Sequence, residues 1–348
     1  MRTTLAIAVA PGALAAHAHA PLRSAVSAMT ICLLASLPAA ARATFTTFDV
    51  SGASATEAYA INAGGAVTGF YLESRSGGGH GFVRASDGTI TTFDPDDSAN
   101  TIPIGINRNG VIAGSWQDSN SIYHGFLRRK GGKLRDIDFP GAAETVLYAI
   151  NDEGSVAGTY YDANTTAHGF VRASDGTWAA FDPAGSTGTA ATAINAHGDV
   201  TGYWFDQRGD VHGFLRRPNG TIAKFSVHGA AATNPAAINT GRTIAGTYMD
   251  NYPRYAFVRG GGGAITTFDP MESLLTSCCS LDAKGEVAGF YLDNNGHEHG
   301  FIRSPKGKIT VFDPKGSIET FARSINDGGT IAGDYYDGSN THGFVRTP

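Results

Sequence analysis

Cysteine is nearly absent from this chain, whose 348 residues include only Cys32, Cys278 and Cys279. Cys278 and Cys279 are adjacent, and adjacent cysteines rarely bridge each other because the small ring strains the peptide. Two thiols without a second pair of ligands do not form a zinc site either. The sequence therefore excludes a disulfide framework, and we interpret the pair as small buried side chains on a strand.

An excess of basic residues is also missing. Charged residues make up 16% of the chain, the formal net charge is −5, and the longest basic run is Arg128-Arg129-Lys130. Proteins that bind polyanions usually concentrate lysine and arginine on one face or segment. The composition therefore argues against a nucleic-acid partner.

No apolar run is long enough to span a bilayer. The first 43 residues contain no Asp or Glu, and their apolar run, residues 29–37, is too short for a transmembrane helix. Ala41-Arg42-Ala43 is a small-x-small triplet that fits signal peptidase, so we predict cleavage before Thr44 and a secreted or periplasmic protein without a membrane span. The alternatives are a disordered leader or a translation start at Met29. In each case residues 1–43 lie outside the fold.

Glycine is abundant, with 46 residues, and much of it belongs to a repeat. His-Gly-Phe occurs six times with a period of 43 or 44 residues, and Tyr255-Ala256-Phe257 is a seventh, variant copy. Ile-Asn recurs in step, with Leu281-Asp282 in the sixth slot, and Phe-Asp is a third landmark with weaker forms at Phe139 and Phe225. Three landmarks that keep one period indicate a repeat architecture.

Each repeat predicts four short strands. In residues 145–182 these are 145–151, 155–162, 168–173 and 177–182, separated by Asn, Asp and Gly turn residues. Such a sheet cannot bury both faces alone, so the repeats must stack on one another. Four strands per ~44 residues, seven times, predicts an all-β, seven-bladed β-propeller over residues 44–348. Small residues such as Ala58 and Ala191 on the first strand suit a crowded axis.

The chain ends predict how the ring closes. The last repeat stops after its third strand, at 344–346, whereas residues 44–49 resemble an isolated fourth strand. Pairing of the two completes one blade and removes an open sheet edge. We expect a monomer whose ring is closed by the N-terminal strand.

The pattern Ile-Asn-x-x-Gly-x-Val-x-Gly, an aromatic, a loop and His-Gly-Phe resembles the HAF-type extracellular repeat family, in which the third landmark usually reads His-Ala-Phe. Glycine replaces that alanine in six copies, and the seventh keeps the alanine but loses the histidine. The resemblance covers residues 44–348. It implies an exported bacterial repeat protein of poorly defined function and carries no catalytic residues.

A second regular feature is Gly-x-aromatic-x-carboxylate at the end of the second strand, followed in six copies by the histidine. The spacing predicts that Asp162 and His168 lie close across the hairpin. One pair per repeat cannot converge on a single active site or metal, so we interpret these pairs as structural. No catalytic motif is present, no cofactor is expected, and Asp293-Asn294-Asn295-Gly296 lacks the glutamate of a calcium loop.

Function is expected where the repeats differ. The loops between strands two and three and between strands four and one share one face of a propeller and vary most here. Unit six, with His297, Glu298 and Cys278-Cys279, comes nearest to a polar cluster found in no other repeat. The predicted ligand-binding residues on the rim are Trp116, Asp118, Trp204, Asp206, Gln207, Arg208, Tyr248, Asp250, Tyr291 and Asp293.

Three functions fit these observations. The first is a non-catalytic protein that binds a carbohydrate or peptide on that face. The second is a carbohydrate-active enzyme, a hydrolase or lyase, that uses rim carboxylates. The third is a structural protein of the envelope or matrix. A fold alone does not choose among them.

Overall fold

The computed structural model describes residues 43–348, except residues 75, 76, 251 and 252. The predicted signal peptide therefore lies outside the described residues, apart from Ala43. The described part is built from strands, with one short 3₁₀ turn at Pro270–Glu272. No described helix is long and apolar enough to cross a membrane.

The described residues form 28 strands, which antiparallel pairing divides into seven units of four. We name the strands of each unit a, b, c and d. The first strand of the chain and units 1 to 3 are β1 (Thr44–Phe48); β2 (Ala55–Ile61), β3 (Val67–Leu72), β4 (Gly79–Arg84), β5 (Ile90–Phe93); β6 (Asn100–Ile106), β7 (Ile112–Gln117), β8 (Tyr123–Arg128), β9 (Leu134–Asp136); β10 (Glu144–Ile150), β11 (Val156–Tyr161), β12 (Ala167–Arg172), β13 (Trp178–Phe181). Units 4 to 7 are β14 (Gly188–Ile194), β15 (Val200–Phe205), β16 (Val211–Arg216), β17 (Ile222–Phe225); β18 (Ala232–Ile238), β19 (Ile244–Met249), β20 (Arg254–Arg259), β21 (Ile265–Phe268); β22 (Leu275–Leu281), β23 (Val287–Leu292), β24 (Glu298–Arg303), β25 (Ile309–Phe312); β26 (Glu319–Ile325), β27 (Ile331–Tyr336), β28 (Thr341–Thr347).

Unit 7 takes its fourth strand from the other end of the described chain. β1 pairs antiparallel with β28, with Thr44 opposite Thr347 and Phe48 opposite Gly343. Phe48 then belongs to a buried cluster with Phe82 of unit 1. The pairing predicted for residues 44–49 is therefore present.

The glycine of strand b allows strands a and b to approach closely. Each strand a changes register near its middle, for example between Ala58 and Ala60. A Cβ on Gly69 would collide with the main-chain oxygen of Glu57. Equivalent collisions occur at Gly202 and Gly333, so the repeated glycine is required by this irregularity of strand a.

The core consists of aromatic contacts between neighbouring units. The phenylalanine of each strand c is fully buried. In most units it is in edge-to-face contact with the strand d phenylalanine of the preceding unit. Phe93, for example, contacts Phe126 in this way at 6.0 Å. The arginine that ends strand c lies over the same strand d ring, as Arg128 lies 4.6 Å from the centre of Phe93. These contacts stack the units against one another.

One landmark of the sequence was assigned wrongly. Ile137, not Phe139, occupies the strand d phenylalanine position of unit 2, because Ile137 N donates to Gly125 O and Asp138 bonds the histidine. Phe139 lies two residues later and stacks on Tyr160 at 3.9 Å. The weak Phe-Asp form misled the alignment because Asp136 and Asp138 both flank Ile137.

A ring of asparagine hydrogen bonds links the units at the a–b turns. The side-chain Nδ2 of each Ile-Asn asparagine donates to the main-chain oxygen of the equivalent residue in the next unit, at 2.9–3.2 Å. The donors are Asn62, Asn107, Asn151, Asn195, Asn239 and Asn326. Asn326 donates to Asn62 O, which joins unit 7 to unit 1.

Asp282 interrupts this ring. It occupies the asparagine position of unit 6, where an ionised carboxylate has no hydrogen to donate. Its Oδ1 accepts from Glu286 N at 2.7 Å, and its Oδ2 is buried without a hydrogen-bond partner among the described residues. Some units also share single parallel bridges, such as Ala55 with Thr341, but no sheet among the described residues closes on itself.

Candidate functional site

The repeated histidines are held by acids from two strands. His168 Nδ1 lies 2.7 Å from Asp182 Oδ2, at the end of strand d, whereas its Nε2 lies 3.7 Å from Asp162 Oδ2. The main partner is thus the strand d acid and not the predicted Asp162. Asp162 is less available to bond the histidine because its Oδ1 accepts hydrogen bonds from Asn164 N and Thr166 N in its own turn. His212 is an exception, with Ser226 at Nδ1.

The predicted rim residues lie at these histidines, one group per unit. Trp116 stacks on His124 at 4.6 Å, and Trp204 and Tyr291 contact His212 and His299 in tilted pairs at 4.7 and 5.3 Å. Tyr248 packs on Tyr255, which replaces the histidine. The rim acids of units 2, 4 and 6 each cap their own b–c turn. Their main-chain partners lie in the loops, including Arg208 N, which donates to Asp206 Oδ1.

The structure does not bring these predicted residues together in one cavity. Gln207 and Arg208 are exposed in the b–c turn of unit 4, and Asp250 follows the end of strand b in unit 5. None of them lines the central cavity, the cavity between units 7 and 1, or the cavities at the 1/2 and 2/3 junctions. The repeated rim is therefore a set of separate, similar surfaces.

A central cavity of about 370 Å³ lies where the seven a strands converge. It is lined by the ends of the a strands and their turns, including Tyr59, Tyr148, Cys279 and Arg323. Cys278 and Cys279 are free thiols on strand β22. Cys278 is buried, as interpreted from the sequence, whereas Cys279 is half-buried and lines the central cavity. Burial raises the pKa of both thiols above the usual range.

A second cavity of about 430 Å³ lies between units 7 and 1 on the face of the b–c and d–a loops. We name it the 7/1 pocket. Its mouth is formed by residues at the loop-facing ends of the strands, among them Ser54, Glu319 and Tyr336. Deeper in the pocket lie Glu57, Phe321, Arg323 and Asp334.

Three charged side chains and a tyrosine form a hydrogen-bonded network in this pocket. Arg323 Nε donates to Asp334 Oδ1 at 2.8 Å and Nη2 donates to Asp334 Oδ2 at 3.2 Å. The same Nη2 lies 3.5 Å from Glu57 Oε2, to which Tyr59 OH also donates at 3.5 Å. Arg323 is further held over the rings of Tyr59 and Phe321, at 5.0 and 4.9 Å.

Burial changes the acid–base properties of this network. It raises the pKa of Glu57 to about 7, with a further increase from the neighbouring Asp334 charge and an opposing effect of Arg323. It also raises the pKa of Tyr59 to about 12. Glu298 of unit 6 has a raised pKa because of burial and the charge of Glu319 at the mouth of the pocket. Glu57 can therefore exchange a proton near neutral pH.

This network breaks the repeat, and sequence reasoning missed it. The other units carry uncharged residues at both positions. At the position of Arg323 these are Tyr59, Ile104, Tyr148, Thr192, Ala236 and Cys279. At the position of Asp334 they are Phe70, Ser115, Thr159, Tyr203, Thr247 and Phe290. The sequence pointed instead to unit 6, whose Glu298 adjoins the pocket. An alignment of the seven repeats by position reveals the two charges, but their contact with Glu57 depends on the pairing of units 7 and 1.

The described residues include no group of three or more His, Cys, Asp or Glu placed to hold a metal ion. Asp293, in the calcium-like segment, accepts from Asn295 N and His297 N and so serves as a turn cap.

Comparison with solved structures identifies the architecture. Virginiamycin B lyase from Staphylococcus aureus matches with a TM-score of 0.61 at 13% identity, over 88% of this chain and 99% of that chain. The β-propeller domain of the Trilobed protease from Pyrococcus furiosus matches with a TM-score of 0.59 at 8% identity, over 84% and 96%. The fold is of the β-propeller type.

The propeller is shared with proteins of several activities. A prolyl endopeptidase also matches, with a TM-score of 0.60 at 10% identity, over 85% of this chain and 51% of that chain. No family model and no curated protein matches the sequence. At these identities the likeness shows the fold alone.

Proposed function

We propose that this protein is an exported, non-catalytic β-propeller that binds a carbohydrate or peptide in the 7/1 pocket. The observation that carries the proposal is the network of Glu57, Tyr59, Arg323 and Asp334, which occurs at one junction only among the seven repeats of the sequence. Charged, hydrogen-bonding and aromatic groups in a concave site are the usual means of recognising a polar ligand. The pocket also opens on the variable loop face.

The same proposal includes the finer architecture. The seven units are the blades of one closed ring, and two contacts support this: β1 completes unit 7, and Asn326 bonds Asn62 of unit 1. The HAF-type repeat pattern and the predicted signal peptide support membership of that exported family and a secreted or periplasmic location. N-terminal sequencing of protein from the medium or periplasm tests export, and a mature chain that begins at Met1 contradicts it.

Unit 3 provides a matched control for the binding site. Glu319 and Tyr336 are paired across strands a and b of unit 7, and Glu144 and Tyr161 are paired in the same way in unit 3. Unit 3 has no charge at the Arg323 and Asp334 positions, where Tyr148 and Thr159 stand. Removal of either glutamate therefore changes the protein's charge equally, but only one change affects the 7/1 pocket.

The experiment is a glycan array and a peptide library probed with the purified protein, followed by affinity measurements on single variants. Glu319→Ala should weaken binding of any ligand found by about tenfold, while Glu144→Ala leaves it unchanged. Equal effects of the two variants, or no effect of Glu319→Ala, rule out the 7/1 pocket. If neither screen yields a ligand, a structural role in the envelope becomes the better account.

A carbohydrate-active enzyme is the second candidate, and the pKa of Glu57 favours it. A carboxyl group that titrates near pH 7 suits general acid catalysis, and Asp334 is a second carboxylate in the same pocket. A polysaccharide-degradation screen separates this function from simple binding. Activity that disappears in Glu57→Gln, with ligand affinity retained, would replace the non-catalytic proposal.

A further inference from the structure

The groove between units 2 and 3 differs from the other junctions of the propeller. It has a volume of about 640 Å³ and is lined by strand d of unit 2 and by the c–d turn and Trp178 of unit 3. We name it the 2/3 groove. It includes turn residues Gly154 and Ser174, so it lies towards the a–b and c–d turns. It is thus separate from the 7/1 pocket, and a ligand bound there is independent of the proposed function.

An equivalent cavity of about 350 Å³ lies between units 1 and 2, but at the 2/3 groove the repeat is broken twice. At most junctions the strand d phenylalanine fills the space beneath the strand c arginine, but Ile137 takes its place in unit 2. Trp178 of unit 3 contacts Phe170 edge to face at 5.2 Å and so replaces the missing ring. Arg172 accordingly lies over Trp178 of its own unit, 5.5 Å from the ring, and not over a ring of unit 2.

Three cationic residues share the face of unit 2 that borders this groove. Leu127 lies opposite Arg135, and Arg129 N bonds Lys133 O in the same hairpin. Because alternate residues of a strand point to the same face and directly opposed residues share it, the side chains of Arg129, Lys133 and Arg135 project together. Asp136 belongs to the opposite face, where its carboxylate accepts from Trp116 Nε1 at 3.2 Å.

Asp138 is likewise already bonded. Its Oδ2 lies 2.9 Å from His124 Nδ1, and its Oδ1 accepts from Gly125 N at 3.1 Å. The remaining acid of the groove is Asp175, whose Oδ1 accepts from Thr177 N at 2.8 Å. The three acids that line the groove, Asp136, Asp138 and Asp175, therefore each already accept a hydrogen bond from a residue of their own unit.

No other unit carries this set of charges. The positions equivalent to Arg129, Lys133 and Arg135 hold small residues in most units, such as Ala85, Thr89 and Thr91 in unit 1. Units 4 and 6 each carry a single cation there, Arg217 and Lys308. Three adjacent cations repel one another, and the fold does not require them.

Arg172 adds a fourth cation from the opposite wall. It is only 6% exposed, and its guanidinium lies over the ring of Trp178. Burial and the charge of Arg135 lower the pKa of Arg172, whereas the charge of Asp175 raises it. Arg135 and Asp175 are therefore both near this guanidinium. An oxygen-bearing anion in the groove would accept hydrogen bonds from both arginines.

We infer that the 2/3 groove binds an oxyanion, that is a sulfate, phosphate or carboxylate group of a small molecule or sugar. Planar guanidinium groups bind such anions through two parallel hydrogen bonds, and Lys133 adds a point charge. The net charge of −5 does not prevent this, because at physiological salt a charge is screened beyond about 8 Å. The cations of the groove act at contact distance.

The test is calorimetric titration of the full chain with sodium sulfate, sodium phosphate and sodium glucuronate at fixed ionic strength in chloride. We expect saturable binding of at least one anion at one site per chain, and the tightest of the three identifies the chemical class. The variant Lys133→Thr/Arg135→Thr, which has the residues of unit 1 at these positions, should bind about tenfold more weakly.

The matched control is Arg217→Ala/Lys308→Thr, which removes two charges from the equivalent positions of units 4 and 6. It should bind like the unaltered chain, and the melting temperatures of both double variants establish that they are folded. The inference is overturned if no anion binds saturably, or if the control loses as much affinity as the groove variant. In the second case the effect is one of overall charge.

Discussion

Units 3 and 7 have the same residues at the start of strand a but different residues deeper between strands a and b. Each opens strand a with a glutamate paired to a tyrosine of strand b, Glu144 with Tyr161 and Glu319 with Tyr336. In unit 3 the deeper positions hold Tyr148 and Thr159, which need no ionic partner. In unit 7 they hold Arg323 and Asp334, and Asp334 is only 1% exposed. Two substitutions in unit 7, together with Glu57 of the neighbouring unit 1, thus turn an ordinary junction into a charged pocket.

Unit 7 also differs in its connections. Its fourth strand comes from the N-terminal end of the described chain. The asparagine hydrogen bond that joins neighbouring units is missing between units 6 and 7, where Asp282 replaces the asparagine. Unit 7 therefore keeps the four-stranded structure of the other units although it contains buried charges and takes one strand from a distant part of the chain. Changes to these features should have measurable effects on stability.

Deletion of residues 44–50 should cause the largest loss of stability. It removes β1, which pairs with β28 on the side opposite β27, and the buried ring of Phe48, and loss of a core phenylalanine alone typically costs about 3–5 kcal/mol. Thermal unfolding and light scattering should show a lower melting temperature and aggregation through the exposed edge. Deletion of residues 1–43 is the control and should leave both unchanged. An unaltered melting curve for the deletion of residues 44–50 would contradict closure by β1.

Arg323→Ala should destabilise the protein by about 3–5 kcal/mol, because it leaves the buried carboxylate of Asp334 without its partner. Adding Asp334→Thr, the residue of unit 3, removes that charge and should recover much of the loss. Chemical denaturation of the single and double variants measures both effects. Arg108→Ala, which breaks the exposed pair with Glu153, should cost no more than about 1 kcal/mol. A double variant as unstable as the single one would mean that packing of Arg323 on Tyr59 and Phe321 dominates.

Asp282→Asn should stabilise the protein by about 1 kcal/mol. It supplies the missing donor towards Asn326 O and gives the buried, unpaired oxygen a hydrogen-bonding replacement. The reverse change, Asn239→Asp, interrupts a link that is present and should destabilise by a similar amount. Melting temperatures of the two variants provide the measurement. Loss of stability in both would show that the carboxylate of Asp282 is needed where it stands.

Glu57→Gln should alter the pH dependence of stability. The pKa of Glu57 is raised from 4.5 to about 7 in the folded state, so its contribution is fully present below about pH 4.5 and is lost as pH rises to about 7. The native protein should therefore become less stable relative to Glu57→Gln as the pH rises from about 4.5 to about 7. Denaturation at pH 4.5, 6 and 8 tests this. Parallel curves would mean that the pKa of Glu57 is the same in the folded and the unfolded state.

The prediction of four strands per repeat succeeded because it rested on local chemistry. The strands of unit 3 begin and end within about one residue of their expected limits, since turn residues such as Asp152 and Gly154 fix the hairpins. The partner of the histidine was predicted less well. Strand alternation brought Asp162 near His168, but the closer contact comes from Asp182, and the spacing alone could not rank the two acids.

The functional pockets could not be predicted in the same way. Arg323 and Glu57 are separated by most of the described chain and meet at 3.5 Å only because unit 7 packs against unit 1. Three cations of the 2/3 groove are close in sequence, but Arg172 and Trp178 reach the groove from the next unit. Neither contact leaves a periodic signal.

The sequence by itself determined the repeated features of this protein: the period, the strands and the turn residues that separate them. These features follow from turn propensity, strand alternation and sterics, which act within a few residues. The tertiary structure decided which charges meet, which carboxylate is buried and which junctions are open. These depend on packing between units, where a change of one side chain alters burial and therefore charge, and no local pattern records it.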